Sequence, residues 1–155
     1  MSAASVALST QRPNALLAIL AGGLAAGSLD LGSAFVAFGA NVPRAIAAGL
    51  LGRGAFQGGT GTYILGVALH FFIALSAAAV YWGASRKLEF LREHPIVCGL
   101  FYGIAVFLVM NLVVLPLSAL HVRGPFQLAG LIQGILIHMF FIGLPIAASV
   151  RFFAK

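Results

Sequence analysis

Four polar side chains stand inside stretches that are otherwise apolar: Asp30, His70, Asn111 and His138. An ionisable group at membrane depth is costly, and it marks an ion or substrate path, a proton relay or a ligand site more often than chance would place it there. An aspartate paired with a histidine can change protonation near neutral pH. The plainer use of the same residues is structural. Asp30 can be a neutral acid bonded to a backbone carbonyl, the two histidines can tie helices together, and Asn111 can be a packing or oligomer contact. Such ties average only about 0.6 kcal/mol each in membranes.

Their depths agree. Counted along helices that begin near Asn14, Tyr63, Pro95 and Phe126, Asp30 lies about ten residues before the end of the first and His70 about eight into the second; Asn111 lies about eight before the end of the third and His138 about twelve into the fourth. At a rise of 1.5 Å per residue all four fall within about one turn of a common plane. The expectation is one intramembrane polar cluster. By type and depth, His70 and His138 also suit the paired axial ligands of a haem b, with Gly66 and Gly134 leaving room for the porphyrin. No His/Cys group has zinc spacing, so no other cofactor or metal is expected.

The elements that must hold these residues follow from composition. The chain has 155 residues, 61% hydrophobic and only 8% charged, with mean hydropathy +1.07. So little charge cannot cover a water-soluble domain of this size, and the composition is that of an integral membrane protein. A helical crossing takes about 20 apolar residues. Four segments qualify, Asn14–Ala40, Tyr63–Gly83, Pro95–Ala119 and Phe126–Val150. The fold class expected is therefore an all-α membrane protein, one transmembrane domain over residues 1–155. Continuous apolar runs such as Ile104–Leu117 argue against the alternation of a β-barrel. The first apolar run continues to Ala40 without a polar stretch before a cleavage site, which favours an uncleaved helix over a signal peptide.

The connections read as follows. Met1–Thr10 is small and polar, a disordered tail. Arg44–Leu51 is too short to span and is read as an interfacial or re-entrant helix opened by Pro43. Gly52–Thr62 is a glycine-rich loop, and Ser85–His94 is the strongly polar one. His121–Pro125 is a tight connection. Pro116 and Pro145 each remove a helical hydrogen bond and invite a kink.

The net charge of +6 sits at the segment ends, which reads as topology and as contact with lipid headgroups, not as nucleic-acid binding. Arg12, Arg86, Lys87, Arg92, Arg151 and Lys155 fall on one side; Arg44, Arg53 and Arg123 fall on the other. The richer side should be cytoplasmic, with both termini.

The two halves resemble each other. RGAFQ at Arg53–Gln57 returns as RGPFQ at Arg123–Gln127. GVALHFFIAL at Gly66–Leu75 returns as GILIHMFFIGL at Gly134–Leu144. A Gly-Leu-x-x-Gly pattern runs through Gly23–Gly27 and Gly99–Gly103. Two crossings per half would relate the repeats, about 14–83 and 95–150, by an axis along the membrane normal. The position matching Asp30 is Val106, so only one half carries the carboxylate. Positions three, four and seven residues from Asp30 are Gly23, Ala26, Gly27, Ser33, Ala34 and Ala37, all small. Such a face lets another helix approach closely, and Asp30 is expected to point into that contact. Gly66, Gly99, Gly103 and Gly134 are expected at helix contacts as well.

The order of His70 in its Gly-x-x-x-His pattern, Gly99 and Gly103, Leu115-Pro116-Leu117 and His138 resembles small four-helix bacterial inner-membrane proteins of unknown function, the YagU type. The likeness covers about Gly61 to the C-terminus. It implies a bacterial inner membrane and no activity. Those proteins have a longer segment between the first two helices than this chain does.

No Gly-x-Ser-x-Gly, His-Glu-x-x-His or carboxylate pair is present, and Glu89 and Glu93 lie in the polar loop, so an enzyme is not expected. Three functions remain: a structural or accessory membrane component, working as a homo-oligomer or within a larger complex in the lipid bilayer; a proton-coupled transporter or channel for ions or small solutes, using the Asp/His cluster; and a haem-b carrier.

Overall fold

The computed structural model describes residues 14–122 and 127–153. Outside that range lie the tail Met1–Thr10, most of the Arg123–Gln127 motif and of the His121–Pro125 connection, and the expected start of the fourth helix at Phe126. Among the described residues every regular element is helical: α1 (Ala15–Phe38), α2 (Val42–Leu51), α3 (Thr60–Ser85), the short α4 (Phe90–Glu93), α5 (Pro95–Leu117) and α6 (Leu128–Phe153). Four of these, α1, α3, α5 and α6, are long and apolar enough to cross a membrane. Their surface suits hydrocarbon: Val36 is 90% exposed and Leu117 78%. A water-soluble bundle would turn polar residues outward at such positions.

Local signals set the helix ends. The Asn14 side chain accepts from the Leu17 amide at 3.0 Å and caps α1. Pro43 and Pro95 sit in the first turns of α2 and α5, where a missing N–H costs nothing. Gly39 and Gly52 close α1 and α2 with φ of 78°, a conformation that glycine takes without strain. The expected loop Gly52–Thr62 is more ordered than its glycines suggest. It holds a 3-10 turn, Arg53–Gln57, and α3 already begins at Thr60. Arg44 stabilises this stretch by donating to the Gly58 carbonyl at 2.8 Å and to the Asn41 side chain at 3.0 Å.

The two prolines inside helices produce π turns. The turn at Met110–Val114 precedes Pro116, and the turn at His138–Gly143 precedes Pro145. A proline ring clashes with the carbonyl four residues earlier and supplies no N–H. One extra residue in the turn relieves that conflict without breaking the helix.

The long helices pack in the order α3, α1, α6, α5, each antiparallel to its neighbour. The amide of Asn14 donates to the Phe153 carbonyl at 2.9 Å, and Ser149 donates to the Ala18 carbonyl at 2.8 Å from a buried position. These bonds pin the start of α1 to the end of α6. The core at this terminal end is built from Ala18, Ala26, Ala78, Tyr81, Ile142, Ile146, Ala147 and Val150. At the opposite end α2 lies against α3, with Ala47, Ala48 and Ala55 packed beneath Leu65 and Leu120. The Ala119 amide donates to the Gly49 carbonyl at 2.8 Å, so α2 also meets the end of α5.

Candidate functional site

Each expected glycine lies where two elements touch. A Cβ on Gly23 would fall 2.7 Å from the Leu75 side chain, and one on Gly27 would fall 2.9 Å from the Phe71 ring. On α5, a Cβ at Gly99 would meet the Gly143 carbonyl at 2.9 Å, and Gly103 lies against the His138 carbonyl and the Met139 Cα. Gly66 faces the backbone of Pro43, and Gly134 lies under the Phe107 ring. Small residues thus bring backbones into direct contact, as they do where helices associate without a hydrophobic drive. Sequence reading passed over two further positions of this kind. Gly22 faces Ser149 and Ile146, and Gly143 faces the Gly99 carbonyl.

The four polar residues are each bound locally. His70 Nε2 donates to the Gly27 carbonyl at 2.8 Å, across the α1–α3 contact. His138 Nδ1 donates to the Gly134 carbonyl at 2.9 Å, one turn back on its own helix. A carbonyl can only accept, so in each pair the named ring nitrogen carries the proton. Asn111 Nδ2 donates to the Phe107 carbonyl at 2.9 Å, again on its own helix. Phe107 is buried and packs edge-on against the His138 ring, with centroids 5.3 Å apart. Among the described residues, no hydrogen bond or ion pair joins any two of Asp30, His70, Asn111 and His138.

Asp30 differs from the expectation. Its backbone carbonyl accepts from Ser33 Oγ at 2.7 Å, but among the described residues its carboxylate has no hydrogen-bond or ion-pair partner. The face of small residues around it is buried over only half its length. Gly23, Ala26 and Gly27 are buried, Asp30, Ser33 and Ala34 are half-buried, and Ala37 is exposed. Beyond Leu31, which is still buried, α1 emerges from the contact with α3 and α6. The reason is geometric. Toward that end, among the described residues, α2 packs mainly on α3 and the end of α5 and touches α1 only slightly. Gly32 has nothing within contact distance of a Cβ. Val106, at the matching position of the other half, packs against the core instead.

A haem between the two histidines does not fit this packing. The space beside Gly66 is filled by Pro43 and that beside Gly134 by Phe107, and the Nε2 of His70 is committed to the Gly27 carbonyl. Two of the four polar residues, Asn111 and His138, fall within π turns. Nothing in their spacing revealed that; the following prolines were the available signal.

Compared with models of protein families, with curated proteins and with solved structures, the chain matches none.

Proposed function

We propose that this chain is a multi-pass membrane protein acting as a structural or accessory component, which joins a second copy or a larger membrane assembly through the uncovered half of α1. The observation that carries this reading is the unpartnered, half-buried carboxylate of Asp30 beside the open Gly32. Intramembrane carboxylates almost always face a bundle interior, a water-filled cavity or a partner. The described fold gives Asp30 no pairing group, and the small residues around it would let another helix come close. The histidines support the same reading, since both are bound to backbone carbonyls, His70 across the α1–α3 contact and His138 within its own helix. Placement of the termini on the cytoplasmic side rests on the basic residues at the terminal end. Cross-linking in native membranes tests the proposal. Wild type should yield a discrete oligomer or heterocomplex, and Gly32→Leu and Asp30→Leu should each deplete it. Only monomers in wild type would overturn it.

The internal duplication belongs to the same proposal. In the aligned motifs Gly27 corresponds to Gly103 and His70 to His138. His70 meets Gly27, and the His138 carbonyl meets Gly103. Gly23 meets Leu75, and the corresponding Gly99 meets Gly143, one position before the residue equivalent to Leu75. Equivalent residues touching in both halves support a repeat of two helices each.

A second reading, a proton-coupled path, draws on the π turns at Asn111 and His138, because such turns recur at functional sites. Proton flux in proteoliposomes that is unchanged by Asp30→Asn would remove it.

A further inference from the structure

We propose that the gap between α3 and α5 at the terminal end seats one acyl chain of an anionic phospholipid. The ring of helices is left open here. At the terminal end, α3 and α5 meet through Tyr81 and Tyr102, whose rings stack edge-on at 4.9 Å. At the other end α2 covers the gap. The uncovered part is a groove of about 560 Å³, lined by Ala84, Leu91, Val97, Phe101 and Ala105, with His94 at its mouth.

The groove wall is apolar even where it contains hydroxyls. Tyr81 donates to the Leu91 carbonyl at 3.0 Å and Tyr102 to the Ala77 carbonyl at 2.6 Å. Neither hydroxyl proton is left to recruit a polar ligand. From His94 to Ala105 the groove runs about 16 Å at 1.5 Å per residue. That is half of the roughly 30 Å hydrocarbon thickness, the depth of one leaflet.

The shape suits a single hydrocarbon chain: the groove is about one leaflet deep and its wall offers no free hydroxyl proton. Charge selects the headgroup. The α3–α4 turn, which joins the lining residues Ala84 and Phe90, carries Arg86 and Lys87, both exposed, with Arg86 lying over the Trp82 ring. The nearby Glu89 is partly offset by Arg92 at 3.8 Å, which leaves Glu93 as the opposing carboxylate. Exposed basic groups beside a membrane attract anionic lipid.

The test uses the full-length protein in nanodiscs of phosphatidylcholine and phosphatidylglycerol. Phosphatidylglycerol carrying a photoactivatable acyl chain is cross-linked, and the labelled peptides are mapped by mass spectrometry. Label should concentrate on Ala84–Leu91 and Val97–Ala105. Ala105→Phe fills the groove from an exposed position and should cut that label at least fivefold. Arg86→Glu with Lys87→Glu should remove the preference for the glycerol over the choline probe. Labelling spread evenly over all exposed helix faces would overturn the proposal, as would equal labelling by both probes in wild type. So would efficient Cys98–Cys98 disulfide formation between copies, because Cys98 lines this groove and would then be covered by protein. None of these readouts depends on Asp30 or on assembly through α1.

Discussion

The imidazole of His70 reaches across a helix contact to the carbonyl of Gly27, with Nε2 and O 2.8 Å apart. The approach is possible because position 27 has no side chain; the adjacent Phe71 ring already occupies the space that a Cβ would need. A helical carbonyl retains a second lone pair after accepting its own intrahelical bond, and His70 uses it. One of the four residues that suggested chemistry in the sequence is therefore a tie between α1 and α3.

That assignment separates the two histidines. His70→Phe keeps a ring but loses the interhelical bond, and it should lower stability by about 0.5–1.5 kcal/mol, the range of such bonds in membranes. His138→Phe loses a bond within its own helix and should cost less, below about 0.5 kcal/mol. Unfolding by SDS titration of protein in mixed micelles measures both. Equal costs would show that His70 is not a tie.

Gly103 and Gly32 should respond in opposite ways to the same substitution. Gly103→Leu drives a side chain into the His138 backbone and should cost about 3 kcal/mol or more, or prevent folding. Gly32→Leu enters open space and should leave the stability of the single chain within about 0.5 kcal/mol. Its effect should appear only in cross-linked assembly.

Asp30→Leu carries a prediction of opposite signs. The carboxylate has no partner in the described fold, and an ionised group at the centre of an apolar helix costs about 2.5–3.5 kcal/mol on insertion scales. Its removal should raise the stability of the isolated chain by about 1–2 kcal/mol while weakening the oligomer. Concentration-dependent fluorescence transfer between labelled copies reads the second quantity. A destabilised monomer would mean that Asp30 is held from within.

Pro145→Ala restores an amide hydrogen and removes the clash that accompanies the π turn at His138–Gly143. In an isolated helix that change is stabilising by about 3 kcal/mol. Here the turn sets the rotation of the segment Leu128–Ile137, and with it the fit of Gly134 under Phe107. Relaxation to a regular α-helix would turn that segment by about 100°. Pro145→Ala should therefore gain much less than 3 kcal/mol, or lose stability, in the same SDS titration. A full gain would show that packing does not need the π turn.

What could be read along the chain was what depends on neighbours in the chain. Apolar length marked the four long helices to within about three residues at each end, because crossing hydrocarbon is a requirement on a continuous segment. Gly23, Gly27, Gly99 and Gly103 were recognisable as contact positions because a missing side chain permits close approach whatever the partner is. The tertiary structure alone decided which backbone each glycine meets and which helix lies between which. It also gave the short α2 its place over the α3–α5 gap. The polar cluster shows the difference most clearly. Depth could place Asp30, His70, Asn111 and His138 near one plane, but a hydrogen bond forms only where a donor comes within about 3 Å of an acceptor at a favourable angle. For three of the four a backbone carbonyl accepted the bond, and for Asp30 the described residues supply no side-chain partner. The bonds of Asn111 and His138 are local, one turn back on their own helices, whereas the reach of His70 to Gly27 and the surroundings of Asp30 are properties of how the helices pack, of which residue spacing carries no record.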